Sequence, residues 1–184
     1  MADNYDNIPD ELKKLPRWVV STAEEDADTK ETVQAKKCPI NARTGMKASS
    51  TNPGTWSTFG EATQAITEKI PTHYGKAGEC GVAGHLGFML GGGYAGIDLD
   101  HVINPDPETG EEVIAPWAYE VVCDVGSYAE YSPSGHGLHI IVKGCTMSEN
   151  GGTRATVATN ADGSSQEIEM YDHGRYFRMT GDVL

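Results

Sequence analysis

Apolar and polar residues alternate with a period of two in several short stretches of the chain, a pattern that predicts β-strands. In GIDLD, Ile97 and Leu99 would face a core, whereas Asp98 and Asp100 would project together from the opposite side. Further strands are predicted at RWVVST, HLGFML, LHIIVK, QEIEMY and RYFRMT. The pattern therefore places two carboxylates side by side on one face of a strand.

Two segments have helical spacing instead. In Thr58–Ile70, Thr58 and Glu61 are spaced as a capping box, and apolar residues follow along one face. Pro116–Val125 begins with a proline, which is favoured in a first helical turn, and ends before Gly126. Both segments are predicted to be helices.

Glycine-rich and polar stretches predict the connections. The triple glycine Gly91–Gly93 lies between HLGFML and YAGIDLD, so these strands are expected to form a hairpin. Asn41–Gly45 is predicted to be a turn, and Ser148–Ser165 a flexible loop or insertion. Two acidic runs, Glu24–Asp28 and Asn104–Glu112, are expected to be solvated loops.

The second half of the chain thus contains elements in the order β, β, α, β, β, β. This order predicts an α/β protein of the α+β class, with a mostly antiparallel, RRM-like or palm-like sheet and helices packed against it. The length of 184 residues suits a single domain. Residues 1–85 are expected to form a small N-terminal αβ lobe, and residues 86–184 an RRM-like lobe that carries the candidate site.

Composition limits the function classes. The formal charge of −13 argues against tight binding of a polyanion by the whole surface, although the basic residues could form a local positive rim. No stretch approaches the roughly 18 apolar residues that span a bilayer, and the N-terminus does not resemble a signal peptide, so a cytoplasmic protein without membrane contact is expected. The four cysteines form no zinc motif.

The strongest candidate chemistry is a carboxylate site. Asp98 and Asp100 share a face of one strand, and alternation around IEMY places Glu167, Glu169 and Tyr171 together on one face of another. Glu169 could therefore serve as a third acid, and the three carboxylates could hold Mg²⁺ or Mn²⁺. A DxD pair alone is more often the solvated face of an edge strand. Here apolar residues precede the pair, and a histidine-bearing strand follows it.

A second motif, SPSGHGLHI, supplies possible donors to phosphate oxygens. Ser134, His136 and the amides of Gly135 and Gly137 form a small loop that could approach an anion closely. His139 opens the following strand and could donate from its ring. These groups would complement a metal that neutralises a triphosphate only in part.

GIDLD, SPSGHGLHI and IEMYD resemble motifs I, II and III of the archaeo-eukaryotic primase superfamily, in the order in which that family carries them. The resemblance is greatest to primase-polymerase (PrimPol) domains of phages, plasmids and other mobile elements. It extends to PRWVV, KKCP, NARTG, ASSTNPGTWSTF and GRYFRMTG, and so covers nearly the whole chain.

The resemblance implies a role for each matching position. Asp98, Asp100, Glu169 and His139 would be catalytic. The three acids would bind two Mg²⁺ or Mn²⁺ ions, although Asp172 could share the role of the third acid. The incoming nucleotide would contact residues of the second motif and two basic residues: Ser134, Gly135, His136, His139, Arg175 and Lys37.

The implied activity is template-directed nucleotidyl transfer from dNTPs or NTPs to a 3′-hydroxyl on single-stranded DNA, for primer synthesis and extension in a mobile element of a bacterial or archaeal host. Family members often continue into helical accessory or helicase domains, so a chain that stops at Leu184 is expected to be an excised module or an unusually short member.

Two alternatives remain open. An HUH-type rolling-circle nickase needs two histidines on one strand face, whereas His136 and His139 are three apart. A non-catalytic nucleotide-binding module would bind nucleotide and metal without turnover.

Overall fold

The computed structural model describes residues 4–23, 38–73, 79–106, 108–145 and 151–184, with the backbone alone at residues 79 and 80. Every pairing between the named strands of these ranges is antiparallel. A few helices accompany the sheets. The fold is therefore of the α+β class, which confirms the prediction.

Among the described residues, the α-helices are α1 (Asp10–Lys13), α2 (Phe59–Thr67) and α3 (Pro116–Val125). The strands are β1 (Trp18–Thr22), β2 (Pro71–His73), β3 (Glu79–Met89), β4 (Tyr94–Asp100), β5 (Ile103–Pro105), β6 (Glu112–Ile114), β7 (Tyr128–Tyr131), β8 (Leu138–Lys143), β9 (Gly152–Thr159), β10 (Ser165–Tyr171) and β11 (Tyr176–Met179). The chain forms two compact units, one of Met1–Met89 with Arg175–Met179, the other of Leu90–Gly174 with Thr180–Leu184.

The first unit is built on a sheet in which β3 lies between β1 and β11 and also pairs with β2. Its core contains Trp18, whose ring packs edge-on against Phe59 at 5.0 Å and Phe88 at 5.1 Å between centroids. The indole nitrogen of Trp18 donates to the carbonyl of Leu12 at 3.2 Å, so this buried polar group is satisfied.

Helix α2 begins as the sequence predicts. The Thr58 hydroxyl accepts from the Glu61 amide, and the Glu61 carboxylate accepts from the Thr58 amide. This reciprocal capping box satisfies donors that a helix leaves free in its first turn. The predicted turn at Asn41–Gly45 is also present, closed by the Gly45 amide donating to the Asn41 carbonyl.

The second unit contains a five-stranded sheet in the order β7-β8-β4-β10-β9, beside the small β5-β6 pair. Helix α3 covers one face of the large sheet and has the predicted bounds, with Gly126 following it in the left-handed conformation at φ +57°. The covered face is apolar, and Ile97, Leu99, Leu138 and Ile140 are buried on it together with Ala118 of α3. The pleat turns the intervening side chains to the opposite face.

The predicted hairpin at Gly91–Gly93 is wrong. Strands β3 and β4 flank the glycines but belong to different sheets. Both edges of each strand are already occupied, since β3 pairs with β1 and β11, and β4 pairs with β8 and β10. No edge remains for the two strands to pair with each other.

Two predicted loops contain strands. Within Ser148–Ser165, residues Gly152–Thr159 form β9, which pairs with β10 along its length. The acidic run Asn104–Glu112 begins in β5 and ends in β6, and these two strands pair with each other. Both sets of residues are largely exposed, so no buried apolar face marked them in the sequence.

In the part of the chain that the structure describes, none of the helices has the length and apolar character needed to traverse a bilayer.

Candidate active site

A row of five residues crosses the large sheet of the second unit, one from each strand. Successive cross-strand partners place Glu130 opposite His139, His139 opposite Asp98, Asp98 opposite Glu169, and Glu169 opposite Arg154. All five lie on the face away from α3. Directly opposite residues in an antiparallel pair are about 4.5–5.5 Å apart, so their side chains interact.

The adjacent row brings Asp100 opposite Glu167. Ligand oxygens of Asp100, Glu167 and Glu169 all lie within 4.8 Å of one another, and we call these three residues the acidic cluster. All three are partly buried. Carboxylate oxygens are the ligands that Mg²⁺ and Mn²⁺ prefer, so this donor set fits a hard divalent cation.

Asp98 supports the same conclusion from a buried atom. Its Oδ1 is buried and receives no hydrogen bond from the described residues. Burial raises the pKa of Asp98 to about 6, and the neighbouring Asp100 and Glu169 carboxylates raise it too, whereas His139 lowers it. A buried carboxylate oxygen without a hydrogen bond is costly inside a protein, and a bound cation would be a closer partner than the His139 ring, whose Nε2 lies 3.7 Å away.

His139 occupies a buried position between two acids. Its Nε2 lies 3.7 Å from Asp98 Oδ1, and its Nδ1 lies 3.7 Å from Glu130 Oε1. The side chain is 9% exposed and faces the acids, not the apolar core. The ring orientation is thus set by its neighbours on both sides.

Glu130 is fully buried and holds the end of the chain against the sheet. Its Oε1 accepts from the Thr180 amide at 3.1 Å, and its Oε2 accepts from the Gly181 amide at 2.8 Å and the Tyr128 hydroxyl at 2.6 Å. Burial, followed by the charge of Glu130, raises the pKa of Tyr128, which therefore remains a donor. Glu130 links the ring of His139 to the segment after β11.

The motif before β8 folds into a tight turn. The Gly135 amide donates to the Ser132 carbonyl at 3.0 Å, and the Ser134 hydroxyl accepts from the His136 amide at 3.2 Å. Ser134 and His136 are exposed, so both side chains can be reached from solvent. The Gly135 amide already has a partner inside the turn and Gly137 is buried, which leaves the exposed side chains of Ser134 and His136 as the candidate donors.

The remaining predicted positions lie elsewhere. Arg175 is exposed and begins the segment that belongs to the first unit. Lys37 lies outside the described residues. Asp172 follows the end of β10 and hydrogen-bonds His173 Nδ1 at 2.6 Å, whereas Glu169 lies opposite Asp98. Of the two candidates for the third acid, Glu169 is the one that the sheet brings to the aspartates.

Three residues of this face were not predicted as site residues. Glu167 shares the face of Glu169 by alternation, which is a signal that the sequence already contains. Glu130 is the acid between Ala129 and Tyr131 in a short apolar strand, an unusual buried charge. Arg154 gave no signal, because its strand was predicted to be a loop.

Arg154 contacts both glutamates of the acidic cluster. Its Nη2 forms an ion pair with Glu167 Oε2, and its Nε lies 3.1 Å from Glu169 Oε1. The hydrogen bond with Glu167 raises the pKa of Arg154, followed by the charges of Glu167 and Glu169. A permanent positive charge therefore contacts two of the candidate metal ligands.

No protein-family model matches the chain. A curated sequence does: the chain is 33% identical over 175 residues to the DNA primase-polymerase of Nitratiruptor phage NrS-1. The two sequences are related. The match covers 94% of this chain and includes all three motifs within that span, but the chain spans only 20% of the phage protein's length.

Proposed function

We propose that this chain is the catalytic domain of a primase-polymerase of the archaeo-eukaryotic superfamily, which joins dNTPs or NTPs to a 3′-hydroxyl on a single-stranded DNA template. The observation that carries the proposal is the cross-sheet row in which His139, Asp98 and Glu169 are successive partners beside Asp100. The sequence similarity to a phage DNA primase-polymerase supports it.

Asp98, Asp100 and Glu169 would hold the metal, and Glu167 is a further candidate ligand. Two bound Mg²⁺ or Mn²⁺ ions would supply activation of the 3′-hydroxyl and neutralisation of the departing pyrophosphate. Two strands, β4 and β10, fix the relative positions of these side chains, so the protein contributes placement and charge.

His139 would donate a hydrogen bond to the triphosphate from the same face. Its Nδ1 lies 3.7 Å from the buried carboxylate of Glu130, which holds the ring in place, and donation from Nε2 then uses a ring that carries a proton on both nitrogens. Ser134 and His136, exposed in the preceding turn, are candidates for further phosphate contacts, and Arg175 and Lys37 for contacts to phosphate or template.

We further propose that the two units form one catalytic domain that acts in the cytoplasm of a bacterial or archaeal host, with helical accessory or helicase domains as partners. The phage origin of the relative and the small share of its length that this chain spans support this arrangement. The nickase alternative loses support, because His136 lies in an exposed turn whereas His139 is buried in β8.

The test is nucleotide incorporation on a single-stranded template with Mg²⁺ or Mn²⁺ and each nucleotide set. Replacing both Asp98 and Asp100 with Ala should reduce incorporation at least about a thousandfold, since the metal and its electrostatic stabilisation are lost. A matched control removes two acids from exposed positions of α3, Glu120→Ala with Asp124→Ala, and should leave incorporation unchanged.

Circular dichroism would verify that both double variants remain folded. Full synthesis by the Asp98/Asp100 variant would contradict the proposal. Binding of Mn²⁺ and dNTP by the wild type without any synthesis would favour the non-catalytic nucleotide-binding module instead.

A further inference from the structure

The guanidinium of Arg154 contacts two of the carboxylates that a metal would need as ligands. Arg154 is the cross-strand partner of Glu169 and contacts one oxygen of Glu169 and one of Glu167. These glutamates supply two of the three carboxylates in the acidic cluster. The Arg154 side chain and a divalent cation would therefore compete for the same two glutamates.

The other oxygens of the two glutamates also accept hydrogen bonds. Glu167 Oε1 accepts from the Thr156 hydroxyl at 3.3 Å, and Glu169 Oε2 accepts from the Tyr171 hydroxyl. A hydroxyl group is neutral and can rotate about its C–O bond. It can therefore turn away from the carboxylate, or keep its hydrogen bond to a carboxylate oxygen that also binds a metal. A guanidinium is permanently charged and has no acceptor atom, so it can neither ligate the metal nor become neutral beside it.

Arg154 is placed so that it can leave. Its side chain is 61% exposed, whereas those of Glu167 and Glu169 are 14% and 13% exposed. It extends from β9, the edge strand of the sheet, so that its movement disturbs no packed core. The acids stay fixed while their counter-ion can move into solvent.

We propose that Arg154 is an internal counter-ion of the acidic cluster, which a divalent cation must displace on binding and which thereby sets the metal affinity of the site. This inference rests on the proposed function in assigning a metal to the cluster. In the metal-free protein, Arg154 offsets the repulsion among Asp100, Glu167 and Glu169. In the metal-bound protein, the ion takes over that role.

The expected consequence is a metal affinity that rises when Arg154 is neutralised. Arg154→Met keeps the length of the aliphatic stem and removes the charge. Calorimetric titration with MnCl₂ should give a dissociation constant roughly tenfold lower for this variant than for the wild type, because one competing cation near the site is gone. Arg154→Lys, which keeps the charge without the planar fork, should give an intermediate value.

Lys143→Met is the matched control, since Lys143 is an exposed cation at the far end of β8 in the same unit. It changes the net charge equally and should leave the dissociation constant within about twofold of the wild type, because exposed charges beyond a Debye length are largely screened. Thermal unfolding gives a second readout. With chelator, Arg154→Met should melt below the wild type, and added MnCl₂ should raise its melting temperature by more.

Unchanged or weaker Mn²⁺ binding by a folded Arg154→Met variant would refute the counter-ion role, as would an equal gain in affinity from Lys143→Met. Nucleotide incorporation measured on the same samples separates the two proposals. If the wild type synthesises DNA but Arg154→Met binds Mn²⁺ no more tightly, the counter-ion role alone is refuted. If Arg154→Met binds Mn²⁺ more tightly but the wild type synthesises no DNA, the proposed function alone is refuted.

Discussion

At the scale of single residues, Asp98 has the most unusual environment. The side chain is 20% exposed, its Oδ1 receives no hydrogen bond from the described residues, and burial raises its pKa to about 6. A carboxyl with a raised folded pKa binds its proton more tightly in the folded state, so its ionisation destabilises the fold at higher pH. Without metal, this single residue therefore costs stability at neutral pH.

Asp98→Asn should accordingly stabilise the metal-free protein at pH 7.5. The shift from 3.8 to about 6 corresponds to roughly 1 to 3 kcal/mol after allowance for partial exposure. The gain over the wild type should shrink as the pH falls from about 7 towards 4, because the wild-type carboxyl becomes protonated in that window. Urea unfolding with chelator at several pH values measures this difference.

The control for that experiment is Asp124→Asn, an exposed acid of α3, which should change the free energy of unfolding little at any of these pH values. If Asp98→Asn were instead less stable than the wild type at pH 7.5, the ionised carboxylate would have an unrecognised partner. Added Mn²⁺ should reverse the order of stability, since only the wild type keeps all its ligands.

The residues of the site could be predicted to different degrees. Alternation alone placed Asp98 and Asp100 on one face and Glu169 on a face with Glu167, because the pleat has a fixed period. The partner of each acid could not be predicted, since cross-strand register depends on pairing between distant segments. Arg154 could not be found because its strand, β9, is largely exposed and was predicted to be a loop.

At the scale of the elements, β7 and its residue Glu130 connect the candidate site to the last residues of the chain. One buried carboxylate accepts from two backbone amides and one hydroxyl and also lies beside His139. Because hydrogen bonds to an ionised group are about twice as strong as neutral ones, Glu130 should stabilise this junction substantially.

Glu130→Gln should lower the free energy of unfolding by about 1–3 kcal/mol, because the new amide group would face a backbone amide and leave a buried donor unsatisfied. The Thr180 and Gly181 amides should exchange with deuterium faster in the variant. Urea unfolding and hydrogen-exchange mass spectrometry measure these effects. Glu120→Gln, at an exposed position of α3, is the control, and equal effects in both variants would contradict a specific role for Glu130.

Elements with strong local signals could be predicted. Helix α3 begins at a proline and ends before a glycine with φ +57°, and the capping box starts α2 where Thr58 and Glu61 require it. The failures concern pairing and exposure. The glycines between β3 and β4 indicate a turn but not which strands pair, and β9 is an exposed edge strand without an apolar face.

At the scale of the whole molecule, the negative charge opposes the proposed template. The sequence contains 14 basic and 27 acidic residues, for a formal charge of −13. Affinity for a nucleic acid comes mainly from basic side chains that displace counterions from phosphates. The proposed partner domains would then supply most of the affinity for DNA.

We therefore expect this 184-residue chain to bind single-stranded DNA with a dissociation constant above roughly 1 µM at physiological salt. Fluorescence anisotropy with a labelled oligonucleotide measures this constant. Replacing the exposed acids Glu108, Glu111 and Glu112 with Gln should tighten binding modestly if net charge limits it. Nanomolar affinity of the unaltered chain would contradict the expectation.

The placement of the glutamates on β10 also links completion of the candidate site to synthesis of the polypeptide. Asp98 and Asp100 leave the ribosome long before Glu167 and Glu169, and the two pairs meet only when β10 inserts between β4 and β9. A nascent or proteolysed product that ends before Ser165 retains the aspartates and His139 but lacks the two glutamates among the four candidate metal ligands. If the proposed function holds, such fragments should be inert.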